Sequence, residues 1–261
     1  MILYLNDILC ASLCFFVPFC LSVFVAKPLF MPDFKQRSPL KELLDSDTIP
    51  FEDIKQNMME LNIINTLLGG HAITIKGVWA LLEGTETTPI ICEIGCGGGD
   101  NLHAIATSFK KKSKWVKLIG IDIKKECIAT AMESFPDETA LWICNDYAKA
   151  TFLQQPDIIF TSLFCHHFSN EQLVQQLQWM YQNSTKGFFI NDLHRHPLAY
   201  YSIKFITKLF SKSYLVKNDA PISVLRGFTK HEWGVLLQKA GITNYSIKWM
   251  WAFRYLIVVR H

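Results

Sequence analysis

The stretch "IICEIGCGGGDNLHAIA", Ile90 to Ala106, places four glycines in five residues between a strand-like run and a segment of helical periodicity. Glycine loses more backbone freedom on folding than any other residue, so a cluster inside regular structure is costly. Such a cluster belongs where the backbone turns sharply or lies closely against a ligand. A strand, a glycine turn and a helix N-terminus in that order cradle nucleotide-like ligands in open α/β sheets.

The rest of the chain agrees with that class. From residue 90, apolar strand-like runs alternate with helical patterns. The runs are Ile90–Ile94, Lys117–Ile123, Ala140–Cys144, Asp157–Ser162 and Gly187–Asp192, and helices are expected at 100–110, 124–135 and 170–183. This alternation predicts βαβ units and a parallel sheet covered on both faces. After Asp192 we expect a helical insertion at 197–212, a loop, a helix at 229–240, and then strands Thr243–Trp251 and Phe253–Val259. The short connection between the last two favours an antiparallel edge pair. Residues 39–83 read as helices, with Asp45, Ser46 and Asp47 as capping residues and a break at "LLGGH", 67–71.

Two ligand classes compete for the glycine turn. Dinucleotide enzymes use G-x-G-x-x-G with the pyrophosphate on the helix N-terminus. Here the glycines fall at 95, 97 and 99 and position 100 is Asp, so that spacing fails. Glu93 is also ill suited to a pyrophosphate, whereas it suits an ammonium or sulfonium.

"EIGCGGG" resembles the first motif of class I S-adenosylmethionine-dependent methyltransferases, E/D-x-G-x-G-x-G, and the resemblance runs over about residues 85–260. It implies a Rossmann-like α/β fold, with a seven-stranded, mostly parallel sheet, an antiparallel edge hairpin, an N-terminal helical cap over 31–84 and a lid over 195–228. It implies S-adenosylmethionine as cofactor, bound by Glu93, Gly95, Gly97 and Gly99. Asp122 falls where the family binds the ribose hydroxyls, and Asp146 where it places an acid near the adenine amino group. Either acid could instead cap the helix or turn after its strand. "PDIIFTSLFCHHF" resembles the fourth-strand motif of small-molecule methyltransferases, including the quinone-methylating group, and "GFFINDL" the fifth strand. "DLHRHPLAYY" resembles a segment of bacterial methyltransferases of aromatic polyketides and related natural products.

On the acceptor side, His166 and His167 follow the fourth strand and His194 the fifth, and histidine can take a proton near neutral pH. Each could equally be a hydrogen-bonded structural residue. The insertion carries Leu198, Tyr201, Phe205 and Leu209 at helical spacing, which suits a lid. Tyr201 is read as lining for an aromatic or lipophilic acceptor, and Arg195 and Arg226 as partners for an anionic group on it. Methylation of a hydroxyl is expected, or alternatively of a ring carbon. A catalytically inactive binding or scaffold protein and an NAD-binding oxidoreductase are the competing readings.

With half of its 261 residues apolar and 19% charged, the chain can form a sizeable core, and a net charge of +3 gives no argument for nucleic acid. None of the eight cysteines makes a C-x-x-C pair, so no metal site is expected, and free thiols suit a cytoplasmic location. The uncharged run from Ile8 to Ala26 is long enough to cross a bilayer, followed by Lys27, Lys35 and Arg37. Residues 1–30 are therefore read either as a membrane anchor at the inner face or as a misassigned start ahead of Met31. Residues 85–261 form the expected methyltransferase domain.

Overall fold

A computed structural model describes residues 32–46, 48–84, 87–136 and 140–261. The hydrophobic run 8–26, and Asp47 among the capping residues, lie outside the described residues. No helix among the described residues is long and apolar enough to cross a membrane.

Asp33–His261 forms one unit around a seven-stranded sheet. The strands are β1 (Ile90–Ile94), β2 (Lys117–Asp122), β3 (Ala140–Cys144), β4 (Ile158–Ser162), β5 (Gly187–Leu193), β6 (Tyr245–Met250) and β7 (Arg254–Arg260). Their spatial order is β3-β2-β1-β4-β5-β7-β6, with the first five parallel and β7 antiparallel to both β5 and β6. β1 and β4 are buried at every position, which is why they read as unbroken apolar runs and not as alternating ones.

The helices are α1 (Phe51–Leu67), α2 (Gly70–Leu81), α3 (Asp100–Lys111), α4 (Lys125–Ser134), α5 (Asn170–Asn183), α6 (Pro197–Phe210), α7 (Tyr214–Arg226) and α8 (Lys230–Lys239). On one sheet face Ile91, Phe160, Phe189, Leu256 and Val258 pack with Ile73, Val78, Leu102 and Ile105 of α2 and α3. On the other, Cys92, Ile159, Phe188 and Ile257 pack with Leu173, Leu177, Trp233 and Leu237 of α5 and α8. Serine and threonine capping boxes, Ser169 with Gln172 and Thr229 with Glu232, start α5 and α8.

The insertion differs from the sequence reading. Residues expected to form a loop after 212 make a second helix, α7, despite Pro221 in its interior. An interior proline costs about 3 kcal/mol. Burial of Leu215, Val216, Val224 and Leu225, with a Ser213 side-chain cap on Val216 N–H, offsets it.

The chain leaves β1 to build β2 and β3 on one side and then crosses to β4 on the other. The reversal puts a topological switch point at the carboxyl ends of β1 and β4, the place where open α/β sheets bind ligands. The glycine turn and the turn carrying His166 and His167 both end there.

Candidate active site

The glycine turn is held by β2. Gly95 and Cys96 N–H groups both donate to Ile121 O, at 2.8 and 3.1 Å. Gly95, Gly97 and Gly99 all have positive φ (67°, 50° and 78°), a region where side chains are strained. Gly99 is the N-cap residue of α3, so the helix begins where the turn ends.

Two carboxylates border the turn. Glu93, on β1, is 1% exposed. Its Oε1 accepts from Asn101 Nδ2 at 3.0 Å, but its Oε2 is buried without a partner. Burial, then the nearby charge of Asp100, pushes its carboxyl well above the usual range. An unsatisfied buried carboxyl oxygen beside a glycine turn is a ready partner for an ammonium group. Asp122, at the end of β2, accepts Gly97 N–H and Lys124 N–H at 2.9 Å each. Burial raises its pKa against these backbone donors. Each oxygen retains a second lone pair for a hydroxyl. Asp146 caps the short turn Tyr147–Lys149 by accepting Ala148 N–H at 3.0 Å, so its capping role is real.

The sequence-predicted histidines separate into two environments. His166 is 2% exposed, with Nδ1 2.8 Å from Asp192 Oδ1 and Nε2 3.4 Å from Glu42 Oε1. Burial opposes its charge, but the two carboxylates outweigh burial and raise its pKa to about 9. An imidazole engaged at both nitrogens and held protonated is a poor general base at neutral pH, so this geometry argues against His166 in that role. His167 is likewise engaged, by Asp45 Oδ1 at 3.0 Å and Glu42 Oε2 at 3.7 Å. His194 is different. It is half-buried, its Nδ1 has no partner, and burial followed by the charges of His196 and Arg195 lowers its pKa. Rings of Tyr255, His196 and Phe253 surround it at 4.9, 5.4 and 6.4 Å.

The two arginines expected to meet an anionic acceptor are committed elsewhere. Arg195 is 3% exposed and donates to the carbonyls of Phe34, Lys35 and Gly227 and to Glu232. Arg226 donates to the carbonyls of Leu40, His166 and His167. Both fasten the N-terminal segment and the insertion to the turns after β4 and β5, which argues against a role as substrate ligands. Tyr201 lies on α6 with Leu198, Phe205 and Leu209, and all four are more than half exposed. The apolar stripe therefore faces outward and is not core.

Several participants gave no sequence signal. Met58 of α1 lies over the turn, since a Cβ on Gly97 would meet its Sδ at 3.2 Å. The Phe164 ring packs directly on Gly95, and the preceding Leu163 has φ 53°. Asn101, Glu42 and Asp192 are ordinary polar residues until the fold brings them to Glu93 and His166. Nothing in their local spacing could have singled them out, although Asp192 closes the fifth-strand motif.

Comparison with known proteins agrees with this geometry. Residues 91–187 match the family model described as a methyltransferase domain. The fold resembles the plantazolicin methyltransferase BpumL, solved with SAH, at a TM-score of 0.58 and 16% identity over 81% of this chain and 95% of that one. It also resembles human N-acetylserotonin methyltransferase, solved with SAM, at a TM-score of 0.61 and 18% identity over 85% of this chain and 60% of that one. No curated sequence matches the chain. The fold is that of class I methyltransferases. Within it, residues 91–187 carry a methyltransferase domain.

Proposed function

We propose that this enzyme methylates a hydroxyl group on a small aromatic or lipophilic acceptor, with His194 as the general base. The observation that carries the reading is His194 Nδ1, buried, unpartnered and on an imidazole held neutral, at the carboxyl end of β5. When bound, S-adenosylmethionine supplies an electrophilic methyl group on a sulfonium.

The residues fit that donor. Glu93 Oε2 receives its ammonium, Asp122 its ribose hydroxyls and Asp146 its adenine edge, while Gly95, Gly97 and Gly99 let the backbone approach. Met58 and Phe164 lie against the same turn. His194 Nδ1 then takes the acceptor hydroxyl proton, and the chain's main further task is in-line alignment. The rings around His194 and the outward stripe Leu198, Tyr201, Phe205 and Leu209 favour an apolar acceptor. The five described cysteines are free thiols, which suits a reducing, cytoplasmic setting. Screening phenols, quinols and aromatic polyketides with labelled donor tests the proposal. Label on an acceptor oxygen supports it, and transfer only to a ring carbon or to nitrogen overturns it.

A further inference from the structure

The histidine pair after β4 meets a carboxylate that the fold brings from far away in sequence. Glu42 precedes α1 and is 6% exposed. Its two oxygens stand 3.4 Å from His166 Nε2 and 3.7 Å from His167 Nε2, and one ligand atom from each of the three residues falls within 4.8 Å of the others. Two ligands 2.0–2.1 Å from a tetrahedral metal are separated by about 3.4 Å. The spacing is that of a site, and its side chains are already oriented.

The outer shell strengthens the case. A metal-binding histidine commonly donates its other ring N–H to a carboxylate, which fixes its tautomer and aims the free nitrogen. Both histidines have this arrangement, His166 Nδ1 at 2.8 Å from Asp192 Oδ1 and His167 Nδ1 at 3.0 Å from Asp45 Oδ1. Both Nε2 atoms are thereby turned toward Glu42. Ser223 Oγ, 2.8 Å from Glu42 Oε1, and the N–H of Cys165, 2.8 Å from Asp192 Oδ2, hold the carboxylates in place.

The charges around the cluster also suit a cation. Glu42, Asp45 and Asp192 bring three negative charges, and Arg37 and Arg226 bring two positive ones, leaving one negative charge when both imidazoles are neutral. The arginines face the cluster with donors engaged on the carbonyls of His166, His167 and Phe168. Arg226 Nη1 remains 3.9 Å from Asp45 Oδ2.

We propose that Glu42, His166 and His167 bind one borderline divalent cation of the zinc class, clasping the segment before α1 to the turn after β4. Two imidazoles and one carboxylate suit Zn²⁺, Fe²⁺ and Co²⁺ and disfavour the hard, all-oxygen preference of Mg²⁺ and Ca²⁺. The site stands apart from the assignment of His194 as base.

The full-length protein, stripped with chelator and dialysed, is titrated with ZnCl₂ and separately with CoCl₂. We expect one ion per chain in the wild type and in the exposed-histidine control His231→Ala, with a higher melting temperature on Zn²⁺ addition. The Co²⁺ complex should show visible d–d bands without an intense near-ultraviolet thiolate band. Glu42→Gln and His167→Ala, verified as folded by circular dichroism, should each lose at least tenfold in affinity. Asp45→Asn, which among the three ligands touches only His167 and only at its outer nitrogen, should lose roughly 10- to 100-fold with stoichiometry unchanged. No binding by wild type, a thiolate band, or unchanged affinity in both Glu42→Gln and His167→Ala overturns the proposal.

Discussion

Gly97 N–H donates to Asp122 Oδ2 at 2.9 Å, tying the middle of the glycine turn to the acid at the end of the neighbouring strand. One carboxylate thus shapes the turn and, in our reading, receives the ribose. Asp122→Ala should weaken S-adenosylhomocysteine binding at least tenfold, because hydrogen bonds to a charged acceptor are worth about 1.5–3 kcal/mol. Asp122→Asn keeps an acceptor oxygen and should fall between the two. Calorimetric titration separates these outcomes, and equal affinity in all three proteins would remove Asp122 from the donor site.

Glu93 makes a second, protonic prediction. Burial holds its carboxyl neutral to well above the ordinary range in the unliganded fold. A donor ammonium against Oε2 favours the ionised form, so binding should release a proton. Calorimetry in two buffers of different ionisation enthalpy should show that release near neutral pH and its loss in Glu93→Gln. The sign for stability follows from the same shift. Between the unfolded and folded pKa the native state binds more protons, so Glu93 makes the unliganded protein less stable as pH rises through that window. Glu93→Gln should flatten this slope.

For the base, His194→Ala should reduce turnover by about 10²- to 10⁴-fold with donor affinity little changed. The lowered pKa means that the wild-type rate rises with pH and levels off below the usual histidine range near 6.5. An enzyme with unaltered turnover in His194→Ala would work by alignment alone.

Arg226 offers a test of its structural role. Its guanidinium satisfies three buried or part-buried carbonyls, so Arg226→Met should lower stability by about 2–4 kcal/mol in denaturant melts. The Michaelis constants of anionic and neutral acceptors should move together. A selective loss for the anionic acceptor would restore Arg226 as a substrate ligand.

The sheet was legible because its signals are local. β1 and β3 have the bounds expected from their apolar runs, and β4, β5 and α5 differ by at most one residue. The Gly95–Gly99 turn was equally local, since positive φ at three positions demands glycine. α7 was not legible, because Pro221 argues against a helix and only burial of its neighbours, a tertiary effect, overrides it. The histidines were visible as residue types but not as roles. His166 and His194 look alike in sequence, and what separates them is Glu42 and Asp192, far from one another along the chain, closing on the first and leaving the second open.

The central claim, that the glycine turn and its two acids hold S-adenosylmethionine, is tested most directly by one calorimetric series. S-adenosylhomocysteine and NAD are titrated into the wild type and into Asp122→Ala. One S-adenosylhomocysteine site per chain is expected, weakened at least tenfold in the variant, with no heat from NAD. Tighter binding of NAD, or an S-adenosylhomocysteine affinity that Asp122→Ala leaves unchanged, would contradict it.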